Sequence, residues 1–296
     1  MKTFRFKIIA GLAVLIFIFS CYFYGQSPSR QQVSGVSEEN QSAVSQLKLD
    51  FFDVGQGDSA LIITPEGQDI LVDGGPDNKV LEKLGRALPI YDKTIELMIL
   101  SHPHADHLVG LIEVLKRYQV DKIIISGILC DTDAYGEFSR LIKEKNIPVE
   151  IIHQPQELFL EPSVELSFLA PLTDLAGQRM ANLNNSSIVF KLIYVSSTAL
   201  FMGDYENEEN FASSSLVKAD ILKVGHHGST NANSRDFLAQ VNPQFAIISV
   251  GKDNSYGLPN YRTIYELKKL GAEVFRTDET GDIKFFSDGK NWQLVN

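Results

Sequence analysis

The chain has 296 residues, of which 44% are hydrophobic and 22% are charged, and its formal net charge is −10. This composition is that of a globular protein and excludes a mainly disordered chain. The acidic balance repels polyanions and argues against a general nucleic-acid-binding protein, since such binding would need a local basic patch to overcome that field. Roughly 250 residues follow position 46, enough for one large α/β domain.

An apolar run near the N-terminus predicts a membrane anchor at residues 1–26. Three basic residues lie within the first seven positions, and the apolar run from Ile8 to Tyr24 that follows is just long enough to cross a bilayer. No basic residue follows the run until Arg30, so the positive-inside rule predicts a single-pass cell-membrane protein with its domain outside the cytoplasm. A lipoprotein site at Cys21 and a cleaved secretion signal are the alternatives.

A polar segment separates the predicted anchor from the predicted domain. Residues 27–46 are rich in Ser, Gln, Glu and Asn, which predicts a flexible linker. The domain is then predicted to occupy residues 47–296. Cys130 is its only cysteine, so no disulfide can form within it.

Short β-rich runs alternate with helical patterns along the domain. Strands are predicted at Leu47 to Asp53, Ser59 to Thr64, Asp69 to Val72, Ile95 to Leu100 and Lys122 to Ser126, and near Val164, Ile188, Thr198, Ile221, Phe245, Val274 and Ile283. Helices are predicted at Asn78 to Leu88, Val109 to Tyr118 and Tyr135 to Lys145, and near Asn207, Arg235 and Thr263. This mixture predicts an α/β fold with two packed mixed sheets flanked by helices.

The most informative segment runs from Ser101 to His107 and reads SHPHADH directly after an apolar strand. It places His102, His104, Asp106 and His107 on one strand-to-helix turn, and imidazoles with a carboxylate suit zinc, iron or manganese. His102 and His104 are two residues apart, so both can point to one side of an extended exit, and the other two can reach a second ion. The spacing therefore favours a dinuclear centre. A solvated histidine loop is disfavoured, because the segment lies deep inside the chain between a strand and a helix.

Five further motifs occur in the order found in one known family. They read FDVGQGDS from Phe52, LVDGG from Leu71, NNSS from Asn184, MGD from Met202 and HHGS from His226. With the HxHxDH segment they resemble the metallo-β-lactamase superfamily, and within it the hydrolase domain of the ComEC/Rec2 competence proteins. The resemblance spans about residues 47–296. It implies an αββα sandwich with two divalent metal ions, zinc or manganese, in a cleft at one edge of the sheets.

The resemblance also implies roles for individual residues. The metal ligands would be His102, His104, Asp106, His107, Asp204 and His227, with Asp204 bridging the two ions. The catalytic residues would be Asp106, His226 and His227, and the sequence leaves open which histidine of the pair is a ligand and which handles protons. Residues that orient the ligands or contact the substrate would be Asp58, Asp73, Asn184, Asn185 and Ser229.

Two departures from the family pattern affect this site. The superfamily usually supplies a further histidine where this chain has Asn184 to Ser187, which leaves room for manganese beside zinc. The competence subfamily commonly shows Tyr-Gly-His-Pro where this chain has a leucine, Leu258. Leucine cannot ligate a metal or move a proton, so either that histidine is dispensable or the activity is reduced or altered.

The predicted function is a membrane-anchored, extracytoplasmic, metal-dependent phosphodiesterase or nuclease that acts on DNA with a metal-bound hydroxide as nucleophile. Lys218, Lys223, Lys252 and Arg262 either contact phosphates or are ordinary solvated cations. Two alternatives stay open. One is a phosphodiesterase or esterase that acts on envelope polymers or small molecules, and the other is a weakly catalytic, metal-stabilised binding domain of an uptake complex. The sequence does not identify an obligate protein partner.

Overall fold

The structure of the protein is a computed structural model that describes residues 46–211 and 215–295. The predicted anchor at 1–26 and all but the last residue of the predicted linker at 27–46 lie outside these ranges. Within them, no helix is both long enough and apolar enough to cross a membrane.

Seventeen β-strands occur in the described part of the chain. They are β1 Leu47–Phe51, β2 Ala60–Ile63, β3 Asp69–Val72, β4 Thr94–Ile95, β5 Leu97–Ile99, β6 Gln119–Val120, β7 Ile123–Ile125, β8 Val149–Ile151, β9 Gln156–Glu161, β10 Val164–Ala170, β11 Val189–Tyr194, β12 Ser197–Phe201, β13 Ile221–Lys223, β14 Phe245–Ile248, β15 Glu273–Arg276, β16 Ile283–Ser287 and β17 Trp292–Leu294.

Two large mixed sheets contain all but two of these strands. The first has eight strands in the order β17-β16-β1-β2-β3-β5-β7-β8, and the second has seven in the order β15-β14-β13-β12-β11-β10-β9. Pairing is parallel from β3 to β8 and from β12 to β15, and antiparallel elsewhere in both sheets. The short strands β4 and β6 pair separately.

Helices cover the outer faces of both sheets. They are α1 Lys79–Ala87, α2 Ala105–Arg117, α3 Asp133–Lys145, α4 Arg235–Val241, α5 Tyr261–Lys269 and α6 Thr277–Thr280. The first three pack their apolar faces on the first sheet, and α4 and α5 pack on the second. A third apolar cluster lies between the sheets, where the rings of Phe190 and Phe201 stack with centroids 4.6 Å apart. The predicted architecture of mixed sheets flanked by helices is confirmed.

Some local predictions differ from the structure. The helix expected near Asn207 is a short 3-10 helix, Glu208–Phe211, in which Phe211 is the only buried apolar side chain and cannot anchor a longer amphipathic helix. Strands β6, β8, β9 and β17 are not among the strands predicted above. The last three lie at sheet edges, where polar residues interrupt the hydrophobic pattern.

A close contact between two backbones fixes helix α2 against the Asp-Gly-Gly turn after β3. The backbone N–H of Gly74 donates to the carbonyl oxygen of His107 at 2.7 Å, and that of Gly110 donates to Gly75 at 2.9 Å. A Cβ added at Gly110 would lie 1.8 Å from the carbonyl oxygen of Gly74. The glycine therefore lets the helix that carries Asp106 and His107 approach the turn that carries Asp73.

Gly110→Ala is expected to lower the free energy of unfolding by about 1–3 kcal/mol, because the added methyl group forces these two backbones apart. The change would be measured by urea unfolding. Gly136→Ala is the matched control: this glycine lies inside α3 with open space around its Cβ position, so alanine should stabilise the protein by about 0.5–1 kcal/mol. Equal stability of Gly110→Ala and the wild type would contradict the close contact.

Candidate metal centre

The predicted ligands lie on loops that follow the carboxyl ends of parallel strands. Residues 101–107 follow β5 of the first sheet, Asp204 follows β12, and His226 and His227 follow β13 of the second sheet. These strand ends meet at one edge of the sandwich, which is where open α/β sheets commonly place their sites. The structure brings all six predicted metal ligands together at this edge.

The turn from β5 into α2 sets the position of the histidine motif. His104 has an extended conformation directly before the helix, and Asp106 and His107 lie in its first turn. The helix thus begins at Ala105 rather than at Val109 as the hydrophobic pattern predicted, because Asp106 and His107 interrupt that pattern without ending the helix. The positive end of the helix dipole favours the Asp106 carboxylate at this position.

Asp204 lies at the centre of the cluster. Its Oδ2 atom is 3.7 Å from Nε2 of His102, 3.4 Å from Nε2 of His107, and 3.8 Å from Nε2 of both His226 and His227. Four imidazoles therefore face one carboxylate oxygen. This arrangement agrees with a bridging role for Asp204.

The side chains form two ligand sets that share Asp204. One set is Asp106, His107, Asp204 and His227, and the other is His102, His104 and Asp204. Within each set the donor atoms lie no more than 4.8 Å apart. The chemistry of these donors fits divalent ions such as zinc and manganese, for which imidazole and carboxylate are ordinary ligands.

Unpaired polar atoms in the cluster support this fit. Nε2 of His107 and Oδ1 of Asp204 are buried and have no hydrogen-bond partner among the described residues. Buried polar atoms are nearly always hydrogen-bonded, so two unpaired atoms within one His/Asp cluster fit a site that a cation completes. We conclude that the cluster is able to bind metal.

The electrostatics of the cluster favour cations. Burial lowers the pKa of both His102 and His104, which keeps these imidazoles in the neutral form that coordinates metal. Burial acts in the same direction on His227, but the carboxylates of Asp204, Asp106 and Asp58 outweigh it and raise the pKa of His227 to about 10. The negative potential that holds a proton there also attracts a divalent ion, which competes with that proton.

Asp73 lies behind His107, as the sequence predicted. Its Oδ2 is 2.9 Å from Nδ1 of His107 and accepts a hydrogen bond from the Ser101 hydroxyl at 2.7 Å, while Oδ1 accepts from the backbone N–H of Ser101 at 2.8 Å. An Nδ1–H group on His107 donates to this carboxylate, which leaves Nε2 to face Asp204. The carboxylate therefore fixes the orientation of the ring.

Asp73→Ala is expected to weaken metal binding about 10- to 100-fold, because the imidazole of His107 loses the acceptor that orients it. Competition with a chromophoric chelator would measure the affinity. Asp121→Ala removes an exposed carboxylate that contacts only Gln119 among the hydrogen bonds described, and it should leave the affinity unchanged. Unchanged metal affinity in Asp73→Ala would show that His107 does not depend on this contact.

Asp58 lies behind His227 and forms a buried ion pair. Its Oδ1 is 3.3 Å from Nδ1 of His227, and its Oδ2 is 2.7 Å from Nζ of Lys223. Burial raises the pKa of Asp58, but Lys223 and His227 outweigh this effect and lower the pKa to about 2. Lys223 was predicted either to contact phosphates or to be a solvated cation, and both predictions are wrong. Its ammonium group is buried against Asp58, where it neither contacts solvent nor reaches the cleft. Lys218, Lys252 and Arg262 are exposed.

The two adjacent histidines have different surroundings. Nδ1 of His227 is 2.9 Å from the carbonyl oxygen of Ser249, and its Nε2 is 3.1 Å from Oδ2 of Asp106. His226 instead faces the cleft, with its side chain 26% exposed and its Nδ1 2.9 Å from Oε1 of Glu206. The backbone places both residues in the left-handed region, with φ of 45° and 50°. This turn gives the two rings different partners at Nδ1, while Nε2 of each lies 3.8 Å from Oδ2 of Asp204.

Glu206 was not among the predicted site residues, although it organises this side of the cleft. Its Oε1 accepts a hydrogen bond from Nδ2 of Asn184 at 3.0 Å, and its backbone N–H donates to Oδ1 of Asn185 at 3.0 Å. Its position two residues after Asp204, in the same loop, is the signal that could have identified it. The asparagine-rich motif thus reaches His226 through Glu206 and also directly, since Nδ2 of Asn184 lies 3.5 Å from Nδ1 of His226.

The cluster forms the floor of an open cleft with a volume of about 500 Å³. Gln56, Tyr256 and Leu258 contribute to its walls. Leu258 therefore lines the cleft at the position where the competence subfamily has histidine. Ser229 is not among the lining residues, and its hydroxyl instead accepts a hydrogen bond from the backbone of Asn231 at 3.2 Å.

A sandwich of two mixed sheets with histidines and aspartates at one edge defines a metallo-hydrolase fold. A family model described as the metallo-beta-lactamase superfamily matches residues 52–252, and the chain belongs to that superfamily. The fold and the metal-binding cluster agree with this membership.

The relatives include the Competence protein ComA of Neisseria gonorrhoeae, which confirms the resemblance seen in the motifs. It is 26% identical over 255 residues, covering 83% of this chain and 32% of the relative. The ComE operon protein 3 of Bacillus subtilis (strain 168) is 27% identical over 263 residues, covering 81% of this chain and 33% of the relative. The Recombination protein 2 of Haemophilus influenzae is 29% identical over 253 residues, covering 81% of this chain and 29% of the relative. The chain thus spans about a third of the length of these relatives.

A solved structure supports the fold independently. The metallo-beta-lactamase fold protein YhfI from Bacillus subtilis is similar with a TM-score of 0.55 at 16% identity, covering 81% of this chain and 100% of that chain. At this identity the likeness concerns the fold alone.

Proposed function

We propose that the protein is a metal-dependent phosphodiesterase or nuclease that acts on DNA. The observation that carries the proposal is the pair of ligand sets that share Asp204 at the floor of an open cleft. Two divalent ions, zinc or manganese, held by these sets would supply Lewis acidity and an activated water for attack at phosphorus. The family membership supports a hydrolase, and the open cleft is compatible with a polymeric substrate.

The surroundings of the two histidines support a division of roles between them. The carbonyl oxygen of Ser249 accepts the Nδ1–H of His227, so Nε2, which lies 3.1 Å from Oδ2 of Asp106, is the nitrogen of this buried ring that can bind metal. His226 faces the cleft, and Glu206 holds its Nδ1. We assign His226 to protonation of the leaving oxygen from Nε2, and Asp106, which lines the cleft, to orientation of the attacking water.

His226→Gln is expected to slow cleavage of DNA about 100-fold, because the alkoxide leaving group loses its proton donor. A p-nitrophenyl phosphodiester should be affected much less, since nitrophenolate leaves without protonation. Comparing the two rates in the same variant separates proton donation from damage to the metal centre. His153→Gln, which alters an exposed histidine paired with Asp174, is the control. Equal losses on both substrates would contradict the assignment.

DNA is the proposed substrate because of the names of two relatives. These are Recombination protein 2 of Haemophilus influenzae and Competence protein ComA of Neisseria gonorrhoeae, and both recombination and competence are processes of DNA. The net charge of −10 would repel a polyanion from most of the surface, so binding would depend on exposed cations near the cleft, to which bound metal ions would add. We further propose that the apolar run at 8–24 anchors the protein in the cell membrane, with the domain outside the cytoplasm.

Leu258 favours a second candidate, a metal-stabilised binding domain with little catalysis. The leucine lines the cleft where related proteins have an imidazole, and it cannot replace that group chemically. A phosphodiesterase or esterase acting on envelope polymers or small molecules is the remaining candidate, because the same donors would polarise a carbonyl group as well as a phosphoryl group.

The experiment that tests these candidates uses the full-length chain purified in detergent. It would be loaded separately with zinc and manganese and given single-stranded DNA, a simple phosphodiester, a phosphomonoester and a carboxylic ester. We expect the wild type to cleave phosphodiesters, including DNA, and His104→Ala to cleave none of them. Turnover of the carboxylic ester alone would favour the esterase. Metal binding without turnover of any substrate would favour the binding domain.

A further inference from the structure

Three exposed tyrosines lie in the segment that runs from the cleft wall into helix α5, and they have no role in the proposed mechanism. Tyr256 is 72% exposed in the loop after β14, and Tyr261 and Tyr265 on helix α5 are 77% and 48% exposed. The last two are four residues apart on one helix face, with ring centroids 6.3 Å apart. We call these three residues the tyrosine strip. Exposed aromatic groups concentrated in one segment often mark a binding surface.

The loop that carries Tyr256 is held firmly against the cleft. Asn254 accepts hydrogen bonds from the backbones of Tyr256 and Leu258 and donates to Gly251. The backbone N–H of Gly251 in turn donates to Oε1 of Gln56 at 3.1 Å. Tyr256 itself lines the cleft. The strip therefore begins at the wall of the candidate metal centre.

The helix that carries the other two tyrosines is also tied to the metal centre. The backbone N–H of Asn260 donates to the carbonyl oxygen of Gly228 at 3.1 Å, in the turn that follows His226 and His227. The side chain of Asn260 caps the helix by accepting from the backbone of Arg262 at 2.9 Å. The strip thus extends outward from the ligand loops along α5.

Positive charge accompanies the strip in an otherwise acidic protein. Residues 252–269 contain four basic side chains, at positions 252, 262, 268 and 269, and two acidic ones, whereas the whole chain has a net charge of −10. Glu266, one of the two acidic residues, lies 3.8 Å from Arg235. Nζ of Lys269 lies 5.9 Å from the ring centroid of Tyr265. Aromatic rings interleaved with cations form a surface that is complementary to an anionic polymer with flat bases.

We propose that the tyrosine strip binds the bases of a single-stranded nucleic acid by stacking while the adjacent cations bind its phosphates, which directs the strand into the cleft. The inference rests on the proposed function, because it defines the substrate of the same centre as single-stranded. Stacking of bases on aromatic side chains tolerates any sequence and needs unpaired bases. A duplex keeps its bases stacked inside and offers only phosphates, so it binds less tightly.

Fluorescence anisotropy on the metal-stripped full-length chain in detergent would test this inference without cleavage. The probes are a single-stranded oligonucleotide, its duplex, and an abasic strand of equal length and charge. The wild type should bind the single strand at least about 10-fold more tightly than the abasic strand. Tyr261→Ala/Tyr265→Ala should remove most of that difference, and Tyr261→Phe/Tyr265→Phe should keep it, because phenylalanine retains the ring.

Tyr91→Ala is the matched control, because this tyrosine is 85% exposed between α1 and β4 and outside the strip. It should bind all three probes like the wild type. Equal binding of the abasic and the normal strand, or an unchanged preference in the double alanine variant, would overturn the inference. Failure of the wild type to cleave any phosphodiester would refute the proposed function. It would not refute binding by the tyrosine strip, since binding is measured without metal.

Discussion

Asp204→Asn is expected to reduce phosphodiester turnover by a factor on the order of 1,000, because a neutral amide removes the charge shared by the two ligand sets. Asp204 is the one residue common to both sets, and its Oδ2 faces four imidazoles. Burial raises its pKa, but the imidazoles of His107 and His227 outweigh this and hold the pKa well below its usual range. The residue is therefore a carboxylate at every pH at which the centre would work.

The measurement combines metal analysis by mass spectrometry with the rate of phosphodiester cleavage. Fewer than two ions per chain should remain in Asp204→Asn after dialysis, while circular dichroism should be unchanged. Asp121→Asn alters an exposed carboxylate outside the centre and should match the wild type. Full metal content together with full activity in Asp204→Asn would rule out a bridging role for this carboxylate.

Lys223→Met is expected to lower the free energy of unfolding by about 3–5 kcal/mol, because it leaves the buried Asp58 carboxylate without its counter-charge. The pair is closed off from solvent, with side-chain exposures of 4% and 7%. The double variant Lys223→Met/Asp58→Asn removes both charges and should recover much of the loss. Urea unfolding of the two variants would measure the difference.

Two further comparisons make this prediction specific. Arg179→Met breaks an exposed ion pair with Asp131 and should leave the free energy of unfolding nearly unchanged. Asp58→Asn alone should also misplace His227 and weaken metal binding, since its Oδ1 lies 3.3 Å from that ring. A single Lys223→Met variant as stable as the wild type would mean that the buried pair contributes nothing to folding.

Hydrophobic periodicity predicted most of the fold because the central strands are buried on both sides. β3, β5 and β13 are short apolar runs bounded by polar turns, which identifies them without knowledge of their partners. Edge strands such as β9 and β17 have mixed patterns, since one side of each lacks a neighbouring strand. Pairing across long sequence distances, such as β1 with β16, is not encoded in any local pattern.

The sequence predicted those parts of the candidate site for which residue type and spacing are enough to indicate metal binding. The HxHxDH segment is local, so the sequence alone brings four ligands to one turn. Asp73 was also predicted, because a ligand imidazole needs an acceptor on its other nitrogen. Lys223 was misassigned because lysine is usually exposed, and only the fold reveals that Asp58 lies 2.7 Å from it. Glu206 was overlooked because its contact with His226 depends on two separate loops.

The role of the Asp204-centred cluster is tested most directly by titrating the metal-stripped, full-length chain with manganese or zinc. Bound metal and phosphodiester cleavage are measured in the same sample. We predict no turnover without metal, and a rate that rises with metal content until two ions are bound per chain. The same titration of His104→Ala should show weaker binding and no comparable rise. Cleavage that persists after metal removal, or a fully loaded protein that cleaves no phosphodiester, would contradict a metal-dependent phosphodiesterase.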